Sequence, residues 1–329
     1  MRHLLTSLLT LLLSACMPHI QPAGTPVTTA QLLPHRYLTA DATLLPLASW
    51  RPEQPPKAII VALHGFNDYS HFFQDSGEFF RQHGIASYAY DQRGFGGSPQ
   101  RGGWSGAATL SQDLNNFVRL VQHRHPDTPL FVLGESMGGA VVINTFSQAD
   151  APPVNGLILV APAVWARATM PWYQPPLLWT LAHTVPKLTL TGRGLKILAS
   201  DNIPMLRALG KDPQVIKATR VEAMYGLADL MDATLGLAGQ LPQPSLLLYG
   251  DHDQLIPPTP TRQFIQTFSQ SPAKTIAFYK NGYHMLLRDL DAATVRQDIL
   301  AWITTPNSPL PSTADHYAQS RLGVDIRTD

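Results

Sequence analysis

Short apolar runs alternate with amphipathic stretches along most of this chain. Each run is bounded by polar or turn-forming residues, which is typical of buried parallel strands. The runs cover residues 58–63, 85–90, 130–133, 156–160, 246–249 and 275–278. Between these runs apolar residues recur at helical spacing, which predicts helices. One ends near Gly84, and the others span 110–121, 141–146, 261–268 and 295–303. Strands that alternate with helices predict a mostly parallel central sheet with helices on both faces.

Two regions depart from this pattern. Residues 36–50 alternate between apolar and polar side chains, which predicts an antiparallel strand pair at a sheet edge. Residues 163–240 contain two segments, 170–179 and 181–190, that are apolar on more than one face and are interrupted by prolines. Such segments make poor strands, and we expect an inserted helical cap over a pocket. Ordinary core helices are the alternative for this region.

The sequence Gly-Glu-Ser-Met-Gly at 134–138 matches G-x-S-x-G, the nucleophile-elbow motif. A predicted strand precedes it and a predicted helix follows it, as the motif requires. Glycines two residues to either side let neighbouring backbone pass without a Cβ clash. Ser136 then stands at the N-terminus of a helix, whose dipole favours developing negative charge. The alternative is a glycine-rich turn with an ordinary serine.

A serine hydroxyl is a poor nucleophile without a nearby base, and the base needs a third group that fixes its tautomer. The chain supplies candidates for both partners. Two acidic residues, Asp251 and Asp253, follow the fifth apolar run, and His284 follows the last one. We expect these side chains to converge with Ser136 at the carboxyl ends of a common sheet.

Five motifs together resemble the monoacylglycerol lipase and lysophospholipase branch of the α/β-hydrolases, which also includes esterases. In chain order they are His-Gly at 64–65, Asp-x-Arg-Gly-x-Gly-x-Ser at 91–98, Gly-x-Ser-Met-Gly-Gly at 134–139, Gly-x-x-Asp at 250–253 and Tyr-His at 283–284. The resemblance extends from about residue 58 to residue 303. It implies the α/β-hydrolase fold, with the cap as its least regular part.

For the catalytic residues, the resemblance implies the chain order serine, acid, histidine. Ser136 is then the nucleophile and His284 is the base. The acid falls on Asp253, the last residue of Gly-x-x-Asp, with Asp251 as the alternative. We expect His252 to be an exposed loop residue rather than a second base.

The resemblance also implies an oxyanion hole made by the backbone N–H groups of Phe66 and Met137. For Asp91 and Arg93 we expect a structural role, as a buried ion pair that holds the glycine-rich loop near the elbow. No Walker lysine follows that loop, so phosphate binding is not expected there.

The chain departs from this branch at two places. Glu135 stands where the branch usually has a histidine before the nucleophile, and its carboxylate is expected to raise the pKa of His284. Residues 68–70 are Asp-Tyr-Ser, where the family often has an acidic residue and His-Ser. The second departure concerns contacts near the acyl or head group rather than the catalytic residues.

The N-terminus differs from the rest of the chain. Residues 4–13 form an apolar run that is too short to cross a bilayer but suits the core of a signal peptide, 1–15. The run closes with Leu-Ser-Ala-Cys, which resembles a bacterial lipobox, so Cys16 is expected to become the acylated N-terminus. A plain secretory signal with an incidental cysteine is the alternative. Met17 in place of Asp favours the outer membrane of the cell envelope, by the same resemblance.

The boundaries of the folded domain follow from the two ends. Residues 16–34 are rich in Pro, Thr, Gln and Ala and predict a lipid-anchored cysteine with an extended tether. Residues 305–329 begin with prolines and lack a sustained periodicity, which predicts a surface or disordered tail. One domain remains at 35–304, with the cap inserted at about 163–240. Cys16 is the only cysteine, so this domain has no internal disulfide.

Composition narrows the function further. With 24 basic and 23 acidic residues the net charge is +1, which offers no electrostatic footprint for nucleic acid. A hydrophobic content of 44% against 14% charged residues suits a well-buried domain with an apolar surface patch. The expected chemistry needs no metal or organic cofactor.

The sequence therefore predicts a serine hydrolase that cleaves carboxylic esters through an acyl-enzyme. An apolar cap on a chain tethered to a membrane favours a lipid substrate such as a monoacylglycerol or a lysophospholipid. Candidates for a lipid-facing wall are Trp172, Tyr173, Leu177, Leu178 and Trp179. The alternatives are an esterase, thioesterase, peptidase or acyltransferase on a non-lipid substrate, or a non-catalytic lipid-binding lipoprotein. The oligomeric state stays open.

Overall fold

A computed structural model describes residues 18–270, 273–305 and 308–322, so the predicted signal peptide and Cys16 lie outside the described residues. The strands are Gln31–Leu33 (β1), Arg36–Leu38 (β2), Leu44–Trp50 (β3), Ala58–Leu63 (β4), Ile85–Tyr90 (β5), Leu130–Glu135 (β6), Gly156–Val160 (β7), Thr189–Thr191 (β8), Ala218–Arg220 (β9), Ser245–Gly250 (β10) and Lys274–Tyr279 (β11). Nine of these described strands form one sheet in the order β1-β2-β3-β5-β4-β6-β7-β10-β11. Pairing is antiparallel from β1 to β5 and parallel from β5 to β11.

Helices cover both faces of the sheet. They are Gln74–Gln82 (α1), Ala107–Arg124 (α2), Met137–Phe146 (α3), Gln174–Thr184 (α4), Ile203–Lys211 (α5), Val221–Gly236 (α6), Pro258–Phe268 (α7), Ala292–Thr304 (α8) and Ala314–Leu322 (α9), with 3₁₀ turns at Ser70–Phe73 and Arg167–Thr169. Apolar side chains of α2, α3, α6 and α7 pack on one face, and those of α1 and α8 pack on the other. None of the helices in the described ranges has the length and apolar character that a membrane crossing requires.

The central strand β4 shows why the apolar runs are continuous. Ile59 and Val61 enter the core on one face of the sheet, whereas Ile60 and Ala62 enter the core on the other face. Successive side chains of a strand point to opposite faces, so a strand covered on both sides is apolar at every position. The predicted α/β fold, with a mostly parallel sheet between two layers of helices, is confirmed.

The sheet begins earlier than predicted. β1 adds a third antiparallel strand at the edge, so the domain starts before residue 35. Further upstream, the backbone N–H of Gln21 donates to the Trp104 carbonyl at 2.8 Å, and Ile20 forms a β-bridge with Trp104. The described part of the predicted tether therefore lies along the domain, because its backbone groups find partners there.

The C-terminal segment also differs from its prediction. Leu310 is 2% exposed, Ala318 is fully buried, and the hydroxyl of Tyr317 donates to Asp251 Oδ2 at 2.6 Å. Residues 308–322 therefore pack on the domain through α9, and the alternative of a disordered tail is wrong for them. The helix buries only a few side chains, so its sequence carries no sustained apolar stripe.

The region at 163–240 is helical, as predicted for a cap. Its last helix, α6, buries Val221, Ala223 and Leu230 and packs on α3, so this helix matches the core-helix alternative. The helix α4 buries only Ala182. The region also contains a short antiparallel hairpin of β8 and β9, which the apolar pattern does not predict.

Candidate active site

The strand β6 ends in a strained turn at Ser136. This residue has φ 52° and ψ −117°, in a region that residues other than glycine rarely adopt. A Cβ on Gly138 would lie 2.3 Å from the Leu63 carbonyl oxygen, and a Cβ on Gly134 would lie 2.4 Å from the Gly138 carbonyl oxygen, so both positions require glycine. The Ser136 N–H donates to the Val160 carbonyl at 2.9 Å, which ties the turn to β7. The serine itself is partly exposed, so a substrate can reach it.

The acidic residue and the histidine lie on the loops after β10 and β11, at the same edge of the sheet as the elbow. His284 Nδ1 donates to Asp253 Oδ2 at 2.8 Å. The other oxygen, Oδ1, accepts the backbone N–H groups of Leu255 at 2.8 Å and Ile256 at 3.0 Å. The histidine and aspartate side chains are 6% and 4% exposed. Because the proton lies on Nδ1, the Nε2 atom of the neutral ring is the one that can accept a proton.

The neighbouring candidates on the acid loop have other contacts. Asp251 accepts hydrogen bonds from Tyr317 at 2.6 Å and from Arg321 at 3.3 Å, both on α9. His252 is exposed. The structure therefore joins His284 to Asp253 and not to Asp251, while the catalytic roles themselves stay predictions.

The loop after β4 carries Phe66, the first predicted oxyanion donor. His64 Nε2 accepts the Gln92 N–H at 2.9 Å, so the ring proton is on Nδ1, which donates to the Gly65 carbonyl at 2.8 Å. The Gly65 carbonyl and the Phe66 N–H belong to one peptide plane and point in opposite directions. His64 therefore sets the direction of that N–H. Burial lowers the pKa of His64, which keeps its ring neutral.

The oxyanion loop passes directly beside the nucleophile. A Cβ on Gly65 would lie 3.3 Å from the Ser136 Cβ and 3.9 Å from its Oγ. Met137, the second predicted donor, is the first residue of α3, and the first N–H groups of a helix have no acceptor within it. Both placements are compatible with an oxyanion hole. The orienting contact of His64 has a sequence signal, since this residue is the histidine of the His-Gly motif.

A buried guanidinium bridges two segments of the site. Arg288 Nη1 lies 2.7 Å from Asp68 Oδ2, and its Nη2 donates to Glu135 Oε2 at 3.3 Å. Burial raises the pKa of Glu135, against the opposing effect of Arg288. Burial acts to lower the pKa of His284, but Asp253 and then Glu135 outweigh it, so this pKa lies above its ordinary value of 6.5. Glu135 thus raises the pKa of the histidine, as predicted, whereas no motif points to Arg288.

The predicted ion pair of Asp91 with Arg93 is wrong. Both residues are buried, but Arg93 pairs with Asp41 at 2.8 Å and with Asp113 at 2.6 Å. The two oxygens of Asp91 instead accept the backbone N–H groups of Ser70 and Gly97 at 2.9 and 2.8 Å. Asp91 therefore does hold the glycine-rich loop, through backbone hydrogen bonds rather than an ion pair.

The cap residues predicted to face lipid are mostly on the surface. Trp172 is 87% exposed, and Tyr173, Leu177 and Trp179 are about half exposed, at 50%, 53% and 53%. Leu178 is partly buried against the core. Core packing is therefore excluded for four of the five, and their contact with a substrate stays a prediction. In the described residues no cluster of His, Cys, Asp or Glu is arranged to hold a metal ion.

The order of the residues along the chain separates this site from those of other serine hydrolases. Sites made of a serine, a histidine and an acid occur on unrelated folds. In the α/β-hydrolase fold the chain order is serine, acid, histidine, and the serine lies at a strand-to-helix elbow. The protein is therefore a serine hydrolase of the α/β-hydrolase fold, as predicted. Residues 54–291 match the family Hydrolase_4, described as serine aminopeptidase, S33, and the chain belongs to this family.

Several relatives are similar over most of the chain. Monoglyceride lipase of Mus musculus is 29% identical over 298 residues, which cover 88% of this chain and 95% of the relative. Monoacylglycerol lipase of Mycolicibacterium smegmatis is 26% identical over 268 residues, covering 78% and 91%. The crystal structure of a soluble variant of monoglyceride lipase from Saccharomyces cerevisiae with a substrate analogue superposes with a TM-score of 0.68 at 20% identity, covering 87% and 97%, and shares the fold.

Proposed function

We propose that this protein hydrolyses monoacylglycerol-type esters, with Ser136, His284 and Asp253 as its catalytic residues. The observation that carries the proposal is the 2.8 Å hydrogen bond between His284 and Asp253, at the sheet edge that also holds the Ser136 elbow. A histidine held in this way keeps its proton on Nδ1 and leaves Nε2 as an acceptor. That is the state a general base requires.

The proposed reaction proceeds through an acyl-enzyme. Ser136 Oγ attacks the ester carbonyl while His284 Nε2 takes the hydroxyl proton, and Asp253 stabilises the imidazolium. The N–H groups of Phe66 and Met137 hold the tetrahedral oxyanion. The alcohol leaves with the proton from His284. A water molecule, deprotonated by the same base, then attacks the acyl group; the carboxylic acid leaves, and His284 returns the proton to Ser136 Oγ.

Two features support a lipid substrate. The relatives described above are monoglyceride and monoacylglycerol lipases, and they align with most of this chain. The exposed apolar side chains before and on α4 form a surface of the kind that binds lipid or another partner. We propose that Trp172, Tyr173, Leu177, Leu178 and Trp179 form this lipid-facing wall.

We also propose that Cys16 is acylated and anchors the protein in the outer membrane of a bacterial envelope. Ile20 pairs with Trp104, whose ring centroid lies 6.3 Å from that of Phe66 in the oxyanion loop. This contact places the described segment that follows the proposed anchor beside the oxyanion loop. Labelling of cells with a palmitate analogue is expected for the wild type and not for Cys16→Ser. Equal labelling of both proteins would refute the anchor.

A fluorophosphonate probe tests the proposed nucleophile. We expect labelling of the wild type and none of Ser136→Ala, with both proteins folded. Nitrophenyl esters of increasing acyl length, compared with nitroanilides of amino acids, then separate ester from peptide hydrolysis. Faster cleavage of medium and long acyl esters supports the proposal. A preference for acetate, or for the amino-acid amides, would count against a lipid role.

A further inference from the structure

Three segments of the proposed site meet at one buried cation. Arg288 Nη1 lies 2.7 Å from Asp68 Oδ2, and Nη2 lies 3.3 Å from Glu135 Oε2. The three side chains, called the Arg288 cluster below, are 9%, 8% and 2% exposed. Glu135 raises the pKa of His284, but the proposed attack, proton transfer and oxyanion binding involve none of these three side chains directly.

Each member of the Arg288 cluster is a short step along the chain from a group proposed to react. Asp68 follows the first oxyanion donor by two residues. Glu135 directly precedes the nucleophile, and Arg288 follows the base by four residues. One guanidinium, on the segment that carries the base, is therefore bonded to the other two segments that must be aligned for attack on an ester.

The cluster is poorly suited to stabilising the fold alone. Removing charged groups from water costs more than their attraction returns unless every hydrogen bond is satisfied. Arg288 Nε and Glu135 Oε1 are buried and lack a hydrogen-bond partner within the part of the chain that the structure describes. A planar guanidinium, however, presents its donors in a rigid fork. It can hold two carboxylates at a fixed separation better than a flexible single donor.

We propose that Arg288 is a positioning residue that sets the spacing between the oxyanion loop, the nucleophile and the base. The inference rests on the proposed function, since it assigns a role within the same site. A displacement of about 1 Å in a catalytic group is enough to lower a rate by about 100-fold. Loss of the guanidinium should therefore reduce kcat even where the fold survives.

The test compares two variants. One removes the guanidinium and leaves two carboxylates unpaired, and the other removes all three charges. Arg288→Met leaves Asp68 and Glu135 buried without their cation, and we expect a lower unfolding midpoint together with a lower kcat. The triple variant Asp68→Asn, Glu135→Gln, Arg288→Met removes all three charges, so its unfolding midpoint should recover. If Arg288 positions the loops, kcat of the triple variant stays about tenfold or more below the wild type, with KM for a short soluble ester within about twofold.

Lys274→Met is the matched control. Lys274 is also a buried cation, bonded to the Leu241 and Gln243 carbonyls and to Ser245 Oγ. It lies at the amino end of β11, about 16 Å along a six-residue strand from the edge that carries the site. We expect this variant to lose stability while it keeps the wild-type kcat, because it removes a buried cation without touching a site loop.

The outcomes decide between positioning and a purely structural role. A triple variant with wild-type stability and wild-type kcat would overturn the inference. If the triple variant does not fold, Arg288→Lys decides instead, because it keeps the buried positive charge but replaces the rigid fork with a single flexible donor. A fall in kcat of about tenfold or more in this variant supports positioning, and a wild-type kcat overturns it. A wild-type protein that hydrolyses no ester would instead refute the proposed function.

Discussion

Replacement of Asp253 by asparagine tests the proposed acid through its own hydrogen bonds. The carboxylate accepts three N–H donors, from His284 at Oδ2 and from the backbone of Leu255 and Ile256 at Oδ1. An asparagine amide has one acceptor oxygen, and its nitrogen only donates. The two backbone N–H groups cannot become acceptors, so the amide oxygen stays with them. The amide nitrogen of Asp253→Asn must then face the histidine.

The histidine can respond only by changing its tautomer. With a donor opposite Nδ1, the imidazole carries its proton on Nε2, and that tautomer cannot accept the proton of Ser136. In Ser-His-Asp hydrolases the wrong tautomer lowers kcat by about 10,000-fold. This corresponds to about 5.4 kcal/mol in the activation barrier. Since the asparagine has the same shape and keeps both backbone hydrogen bonds, we expect the unfolding midpoint to change little.

The assay is hydrolysis of a soluble nitrophenyl ester by folded protein, with thermal unfolding measured on the same samples. The matched control is Asp251→Asn, two residues away. Asp251 binds Tyr317 and Arg321 rather than the histidine, so we expect its variant to keep kcat within about threefold of the wild type. An Asp253→Asn enzyme that keeps more than about a tenth of the wild-type kcat would refute the assignment of the acid.

Three further predictions concern the base, the C-terminal segment and the cap. Glu135→Gln removes a charge that raises the pKa of His284, and this base must be neutral to accept a proton. The acid limb of the kcat/KM profile should therefore move to lower pH, and an unmoved limb would contradict the prediction. Leu310→Ala should lower the free energy of unfolding by about 2–5 kcal/mol in urea titrations, whereas the 70% exposed Leu290, changed to alanine as a control, should have little effect. Equal losses of unfolding free energy in the two variants would show that Leu310 is not part of the core. Trp172→Ser should slow hydrolysis of monoacylglycerol in vesicles more than hydrolysis of a short soluble ester, because burial of about 100 Å² of its ring contributes about 2.5 kcal/mol to membrane contact; equal slowing argues against a membrane role.

The sheet was predictable from the sequence because burial on both faces favours an apolar residue at every position of a central strand. The strands at 58–63, 85–90 and 156–160 have the bounds of their apolar runs. The elbow was predictable for a related reason, since steric contacts demand glycine at fixed places around the serine. Where one physical constraint acts on consecutive residues, the pattern is local and the sequence displays it.

What the sequence did not display depends on partners far away in the chain. β8 is exposed at every position and pairs only with a strand that lies about thirty residues further on. Arg93 pairs with Asp41 and Asp113 rather than with the nearer Asp91, whose two oxygens accept backbone N–H groups. Arg288 has no periodic pattern at all, since its partners are at positions 68 and 135. Such contacts are products of the fold and become visible only with it.

The cap is hydrogen-bonded to two loops of the proposed site. On one side of α5, the Ala199 carbonyl accepts the N–H of Met285, next to the proposed base. On the other side, the N–H of Ile216 donates to the carbonyl of Asn67, next to the proposed oxyanion donor. The segment 199–216, which contains this nine-residue helix, is therefore hydrogen-bonded to both of these loops of the proposed site. The same two loops are also joined by the ion pair between Arg288 and Asp68. Because the cap segment and Arg288 both contact these loops, we expect a displacement of the cap to change the spacing of the proposed catalytic groups as well as access to them.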